Sequence, residues 1–375
     1  MTVLGQGERA ELATAVRAAC ARLASEERVR VVAYERDGKD RGFDAELWAI
    51  LCDQVGVGAI AVPESFGGAG YGASALAVVA HELGRVLAPV PFLATAVLAS
   101  RLLVELGASP DRIAALANAE RTAAALITGD GGLWDASPVT LTAARRGSGW
   151  RIDGSVVHVL HGTAADDLVV LATVDDELGA FLLESAQQGV IVRAERVLDG
   201  TRPLASIEFR DAHGERLKPS GAVADVIERC VQWTLAVLSS EQVGACERVL
   251  EIATDYARTR VQFGRPIGSF QAIKHRCADM LVELEYARSA SLAALDSVDN
   301  RDGESRWRTS MAKAVCTEAL RNAAHANLQI HGGIGFTWEH SAGLYLKRAR
   351  TDEVLFGRPG QHWDRLAAEA KLFDR

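Results

Sequence analysis

No apolar run among the 375 residues approaches the roughly 20 that a bilayer-spanning helix requires, so no membrane span is expected. The opening stretch, MTVLGQGERAELATAVRAAC, interrupts its apolar periodicity with charges and lacks the continuous apolar segment of a secretory signal. Cysteine is sparse and scattered. Cys20, Cys52, Cys230, Cys246, Cys277 and Cys316 form no CxxC pair, which speaks against a zinc site or a disulfide framework and for reduced, buried thiols in a cytoplasmic protein. Positive charge is in deficit: 41 Lys and Arg face 49 Asp and Glu, for a net charge of −8. A nucleic-acid partner gripped through its phosphates is therefore not expected. There is no repeat of fixed period and no low-complexity linker.

What is there falls into three grammars. Residues 1–125 read as helices: ELATAVRAACARLASEER, DAELWAILCDQVG, SALAVVAHELGRVL and PFLATAVLASRLLVELG place apolar residues at i, i+3, i+4 and i+7. The Gly-rich loop PESFGGAGYG lies between them and leads to Ser74, a candidate N-cap. Residues 126–217 turn to short β-branched runs, among them DDLVVLAT, ELGAFLLES, GVIVRAE and LASIEFRDAHG, spaced as in an antiparallel sandwich or barrel. In residues 218–375 helices return and lengthen. ADVIERCVQWTLAVLSSEQVGACERVLEIATDYARTR is one unbroken pattern, and AIKHRCADMLVELEYARSASLAALDSV and RTSMAKAVCTEALRNAAHANLQIHG add two more, enough for a four-helix bundle. The expected fold class is α+β: helical domain, β domain, helical bundle.

Two motifs carry chemistry. In RTRVQFGRPIGSFQAIKHRCADM, Arg260 offers the forked cation suited to a diphosphate, Gln262 and Gln271 offer amides, and Phe263 and Phe270 offer flat apolar faces. In QIHGGIGFTWEH, Gln329 adds an amide, while Gly332, Gly333 and Gly335 permit close backbone approach and positive φ. A plainer reading is open beside this one. Phe263 and Gly264 would then turn a corner, and the glycines would cap a helix. His158 and His161, three apart with no third ligand nearby, read as surface or packing histidines, and no metal site is expected.

These motifs, with PESFGGAGYG, HELGR and GSVVHVLHGTAADD, resemble the acyl-CoA dehydrogenase family over essentially the whole chain. QIHGGIGFTWEHSAGLYLKRA is most similar to actinobacterial members acting on steroid side chains or other bulky acyl-CoAs. The resemblance implies FAD as cofactor, an acyl-CoA thioester as substrate, α,β-dehydrogenation as the reaction and a flavoprotein as electron acceptor. It also implies that Arg260, Gln262, Phe263, Gln271 and the segment Gln329, Ile330, Gly332 and Gly333 grip the dinucleotide of a neighbouring chain, with Phe270 presenting a ring beside them.

The same resemblance exposes gaps. One position for the family's carboxylate base falls on Phe356 and the other on Thr234; neither abstracts a proton. Glu241, two helical turns beyond Thr234, is the candidate replacement, and Glu353 is a weaker one. On the flavin side, TGDGGLWD stands where the family carries Thr-Glu-Pro-x-x-Gly-Ser-Asp, and HVLH stands where it carries Trp-Ile-Thr-Asn, so Leu160 offers no hydroxyl. Three readings follow. The chain is the non-catalytic partner in an α2β2 complex, serving a homologous subunit's FAD. Alternatively it is a self-sufficient homotetrameric dehydrogenase with Glu241 as base, or a non-redox scaffold of the same fold.

Overall fold

A computed structural model describes residues 4–35, 41–135, 139–147 and 149–370. The first domain holds α1 (Gln6–Leu23), α2 (Glu26–Tyr34), α3 (Ala45–Asp53), α4 (Ala73–Val86), α5 (Ser100–Glu105) and α6 (Pro110–Ala117). The pattern that reads as one helix through residue 28 is split, because the Ser25 hydroxyl accepts from the Arg28 amide at 3.2 Å and starts α2 afresh. Ser74 is not the N-cap of α4; Gly72 occupies that position. The caps come from elsewhere. The Asp299 carboxylate accepts from the amides of Ala73 (2.6 Å) and Ser74 (3.0 Å) and from the Ser74 hydroxyl (2.6 Å), which satisfies the free helix donors across the fold. Phe92–Ala99 is a π-helical segment running into α5, and all eight of its residues are buried.

The β domain contains β1 (Ala123–Leu126), β2 (Thr142–Arg146), β3 (Gly149–Leu160), β4 (Asp167–Val174), β5 (Glu177–Glu184), β6 (Val190–Ala194) and β7 (Leu204–Arg216). Its sheet closes into a barrel through β4–β2–β3–β7–β5 and back to β4, with β1 beside β4 and β6 beside β7. It is not purely antiparallel, since β1 and one residue pair of β2 run parallel to β4. The alternating pattern could not mark β1. Its AAAL carries no β-branched residue and is covered on both faces, so nothing alternates. Thr95 fastens β1 to the π-helical segment: its hydroxyl donates to the Ala123 carbonyl (3.0 Å) and accepts from the Ala123 amide (3.1 Å).

The last domain is built on α7 (Val223–Thr259), α8 (Gln271–Asn300) and α9 (Ser305–His331), as the long periodic runs predict, followed by α10 (Ala342–Val354) and α11 (Pro359–Glu369). Helix α7 is the spine of the molecule, packing on α4 as well as on α8 and α9. At its crossing with α4 two glycines let the backbones meet. A Cβ on Gly84 would lie 2.1 Å from the Glu241 carbonyl oxygen, and one on Gly244 would lie 2.1 Å from that of His81. Among the described residues, no helix is long and apolar enough to cross a membrane.

Candidate functional site

The residues of the two motifs meet at one exposed end of the bundle. Helix α7 stops at Thr259, and the chain turns back through a small hairpin pairing Val261–Gln262 with Arg265–Pro266. Phe263 (φ 53°) and Gly264 (φ 76°) form its two-residue tip, the left-handed pair that such a tight hairpin requires. The corner reading is thus correct as local structure. Yet a bulky residue in this region is uncommon, and the Phe263 ring is 91% exposed. Phe263 meets Phe270 edge-on at 6.1 Å, and the Arg265 guanidinium sits 4.1 Å from the Phe270 ring. Gln271 opens α8, with its amide nitrogen 3.2 Å from His275 Nε2.

Across from the hairpin, Gly332 (φ 60°) caps α9, as the plainer reading of the glycines expects. A Cβ on Gly332 or Gly333 would meet nothing within 4 Å, so open space faces both. Gln329 is exposed. Ile330 is not part of this surface: its side chain is 4% exposed and packs in the bundle core, because one residue of helical rotation separates outward Gln329 from inward Ile330. Three residues that the motifs did not single out for a role hold the halves together. Tyr256, one turn before Arg260, stacks on His331 at 4.1 Å, and His340 lies 4.2 Å beyond. Burial keeps both histidines below the usual imidazole pKa, hence as neutral stacking surfaces. The i, i+4 spacing of Tyr256 and Arg260 was the available signal. Arg260 itself makes no ion pair or side-chain hydrogen bond with a described residue. A free guanidinium, exposed amides and unobstructed glycines suit an anionic, ring-bearing ligand such as a dinucleotide.

A second feature lies between the β domain and α10–α11. A cleft of about 680 Å³ is lined by residues 127–135, by His158 and Leu204, and by Thr351, Leu355, Gly357 and Gln361. This places TGDGGLWD on the cleft wall. His158 stands at a bulge of β3 (φ 59°), with Nδ1 2.6 Å from Glu195 Oε2; His161 is buried at the end of the strand. Among the described residues no three potential ligands gather as a metal site.

Glu241 is not placed to act as a base. It is 7% exposed, and its Oε1 is shared by Arg202 and by Arg348 Nη1 (2.5 Å). Arg348 also pairs with Asp199 (2.7 Å), and Arg202 with Asp352 (2.7 Å). Lys313 Nζ donates to the Asp352 carbonyl (2.7 Å) and Thr317 Oγ1 (3.1 Å), and burial lowers its pKa to about 8. Three basic and three acidic side chains therefore neutralise one another in a buried layer between the β7 entrance, α7, α9 and α10. A carboxylate enclosed by two guanidinium groups has structural work, and removing its charge would strand both. Thr234 is equally committed, donating to the Cys230 carbonyl at 2.8 Å. Glu353 pairs with Arg350 (2.8 Å) and Arg321 (3.3 Å), which hold its pKa below the usual carboxylate value against the opposing effect of burial.

Comparison with known proteins agrees with this architecture. Residues 10–112 match the model of the acyl-CoA dehydrogenase N-terminal domain, and residues 224–371 match that of the C-terminal domain. Acyl-CoA dehydrogenase IpdE2 of Mycobacterium tuberculosis is 34% identical over 330 residues, covering 88% of each chain. Among solved structures, the ChsE4-ChsE5 complex of the same organism superposes over 100% of both chains with a TM-score of 0.87 and 28% identity. The Tcur3481-Tcur3483 steroid acyl-CoA dehydrogenase superposes over 98% of both, with a TM-score of 0.86 and 26% identity.

Proposed function

The chain belongs to the acyl-CoA dehydrogenase family, and we propose that it works there as the non-catalytic subunit of a heteromeric enzyme, completing the FAD site of a homologous partner. One observation carries the reading. The corner that would serve another chain's dinucleotide is exposed and its Arg260 guanidinium pairs with no described residue, whereas Phe356 and Leu160, both buried, stand where this chain's own reactive centre would need a carboxylate and a hydroxyl. Relatives of this architecture are described as two-component assemblies by name, ChsE4-ChsE5 and Tcur3481-Tcur3483. The surface also fits a partner. Helix α8 leaves Leu281, Val282, Tyr286 and Leu292 exposed, and Ile334, Phe336 and Trp338 are exposed just past the α9 C-terminus, apolar side chains that a partner would cover.

Within such an assembly, Arg260 would neutralise the diphosphate, Gln262, Gln271 and Gln329 would fix its orientation by hydrogen bonds, and Phe263 would close over a ring. Hydride acceptance from the β carbon is the chemistry that FAD supplies when bound. The α-proton would pass to a carboxylate of the partner, since neither Glu241 nor Glu353 is available here. Substrate would be an acyl-CoA, of the bulky or steroid-derived kind that the Tcur3481-Tcur3483 enzyme is named for. An electron-acceptor flavoprotein would reoxidise the complex.

The flavin-to-chain ratio tests this. Co-purified with its partner, the complex is expected to hold about one FAD per two chains, and this chain alone none. A chain that is yellow by itself, with one flavin each and bleaching on addition of an acyl-CoA, would restore the self-sufficient homotetramer. No flavin in any complex would leave only the scaffold.

A further inference from the structure

The cleft between the β domain and α10–α11 has a second, inner compartment. It is lined by Ala94 and Leu98 of the π-helical segment, by Leu126, Val156 and Leu160 of the barrel, and by Phe356. The two compartments share Ile127, Thr128, Gly131, His158 and Leu355 in their walls, so they adjoin. They differ in content. The outer one is about 680 Å³, while only about 20 Å³ is left in the inner one, room for little more than a single water. Phe356 lines the inner compartment and not the outer, and its ring is 7% exposed.

The placement of that ring is over-determined. Phe356 holds a left-handed backbone (φ 56°), a costly state for a bulky residue. Its amide donates to the Gly131 carbonyl at 3.1 Å, and its carbonyl accepts from His362 Nε2 at 2.9 Å. The next residue must be glycine: at Gly357 (φ 102°) a Cβ would lie 2.9 Å from Leu133 Cδ1 and 3.0 Å from His362 Nε2. None of these backbone contacts involves the phenyl ring. The elbow would keep its shape around a smaller side chain.

We infer that Phe356 is a stopper: the outer cleft and the inner compartment form one two-part site for an amphipathic ligand, polar head outside and apolar tail inside, and this ring occupies the space the tail would take. The assignment of the tail to an acyl thioester rests on the function proposed above; the stopper itself does not. It also changes what the empty base position means. The chain has not merely lost a carboxylate there, for the residue in its place excludes an acyl chain from this half of the assembly and leaves substrate to the partner.

Phe356→Ala tests it, with benzene as the first probe, because an apolar cavity of side-chain size stays dry and binds benzene. Saturating benzene is expected to raise the melting temperature of Phe356→Ala and leave the wild type unmoved. Octanoyl-CoA should then bind the variant at least tenfold tighter than it binds the wild type, and at least tenfold tighter than free CoA binds the variant. A folded Phe356→Ala indifferent to benzene overturns the stopper, as does a wild-type chain that already prefers octanoyl-CoA to CoA tenfold. A benzene response without octanoyl-CoA preference upholds the stopper and removes the acyl-CoA reading. If the alanine variant does not fold, Phe356→Leu carries the same test, with a smaller benzene response expected and none overturning the inference.

Discussion

Helix α7 presents charge in two opposite ways. At its middle, Glu241 is sealed between Arg202 and Arg348, whose remaining nitrogens pair with Asp352 and Asp199. Just beyond its end, Arg260 stands exposed beside glycines, its side chain without a partner among the described residues. The difference separates structure from function. A buried charge survives only where the fold supplies its counter-charge, so its presence says little about ligands. A guanidinium that pairs with no described residue, at a corner of exposed rings and open glycines, is what the proposed dinucleotide site needs. Reading charge without burial would have reversed the two, making Glu241 the reactive group.

Breaking the buried side should give the largest effect. Glu241→Ala leaves Arg202 and Arg348 short of a counter-charge in a buried layer, and about 3–5 kcal/mol of stability should be lost by denaturant titration. Equal stability for wild type and variant would mean that water reaches the cluster and that the contrast with Arg260 is false. Glu241→Gln, which keeps the shape, should leave the flavin content of any complex that folds unchanged.

Arg260→Ala should do the converse, with folding stability nearly constant and FAD retention in the complex weakened by roughly 1.5–3 kcal/mol, the range for a hydrogen bond to a charged group. Equilibrium dialysis of flavin reads this directly, and unaltered retention would dismiss the corner.

A third measurement sharpens the buried side through pH. His362 is fully buried, and burial drives its pKa down to about 3, so the folded state keeps it neutral while the unfolded chain protonates near 6.5. The unfolded state therefore binds more protons below about pH 6.5, and stability should fall as pH drops through the window from 6.5 toward 3. The slope from this one group is about 1.4 kcal/mol per pH unit, and His362→Gln should remove it from a denaturation series between pH 6.5 and 5. Smallest is the inter-element cap. Asp299→Ala deprives α4 of its acceptor and should cost about 1 kcal/mol, measured in the same titration, without touching flavin content.

Much of the fold is legible in the pattern of residues because long amphipathic helices declare themselves locally. Helices α7, α8 and α9 follow the apolar periodicity closely. Strand β1 does not, since four residues covered on both faces show no alternation, and neither does the cap on α4, whose acceptor is 226 positions away in the chain. Arg260, Gln262, Phe263, Gln271 and Gln329 lie in two compact motifs, each within a few residues of a helix end, so their exposure follows from local pattern. Ile330 failed because a motif is a string, whereas a helix turns successive residues to different sides.

The amino-acid order by itself determined the three-part architecture, the family and the absence of an acid at positions 234 and 356, all properties of local periodicity and residue identity. Only the tertiary structure decided what surrounds Glu241 and Phe356. Both answers depend on partners brought together from distant segments: guanidinium groups from the β7 entrance and α10 around one, and the π-helical segment and barrel wall around the other. Charge neutralisation and close packing are properties of a neighbourhood in space, and a single position in the chain does not contain them.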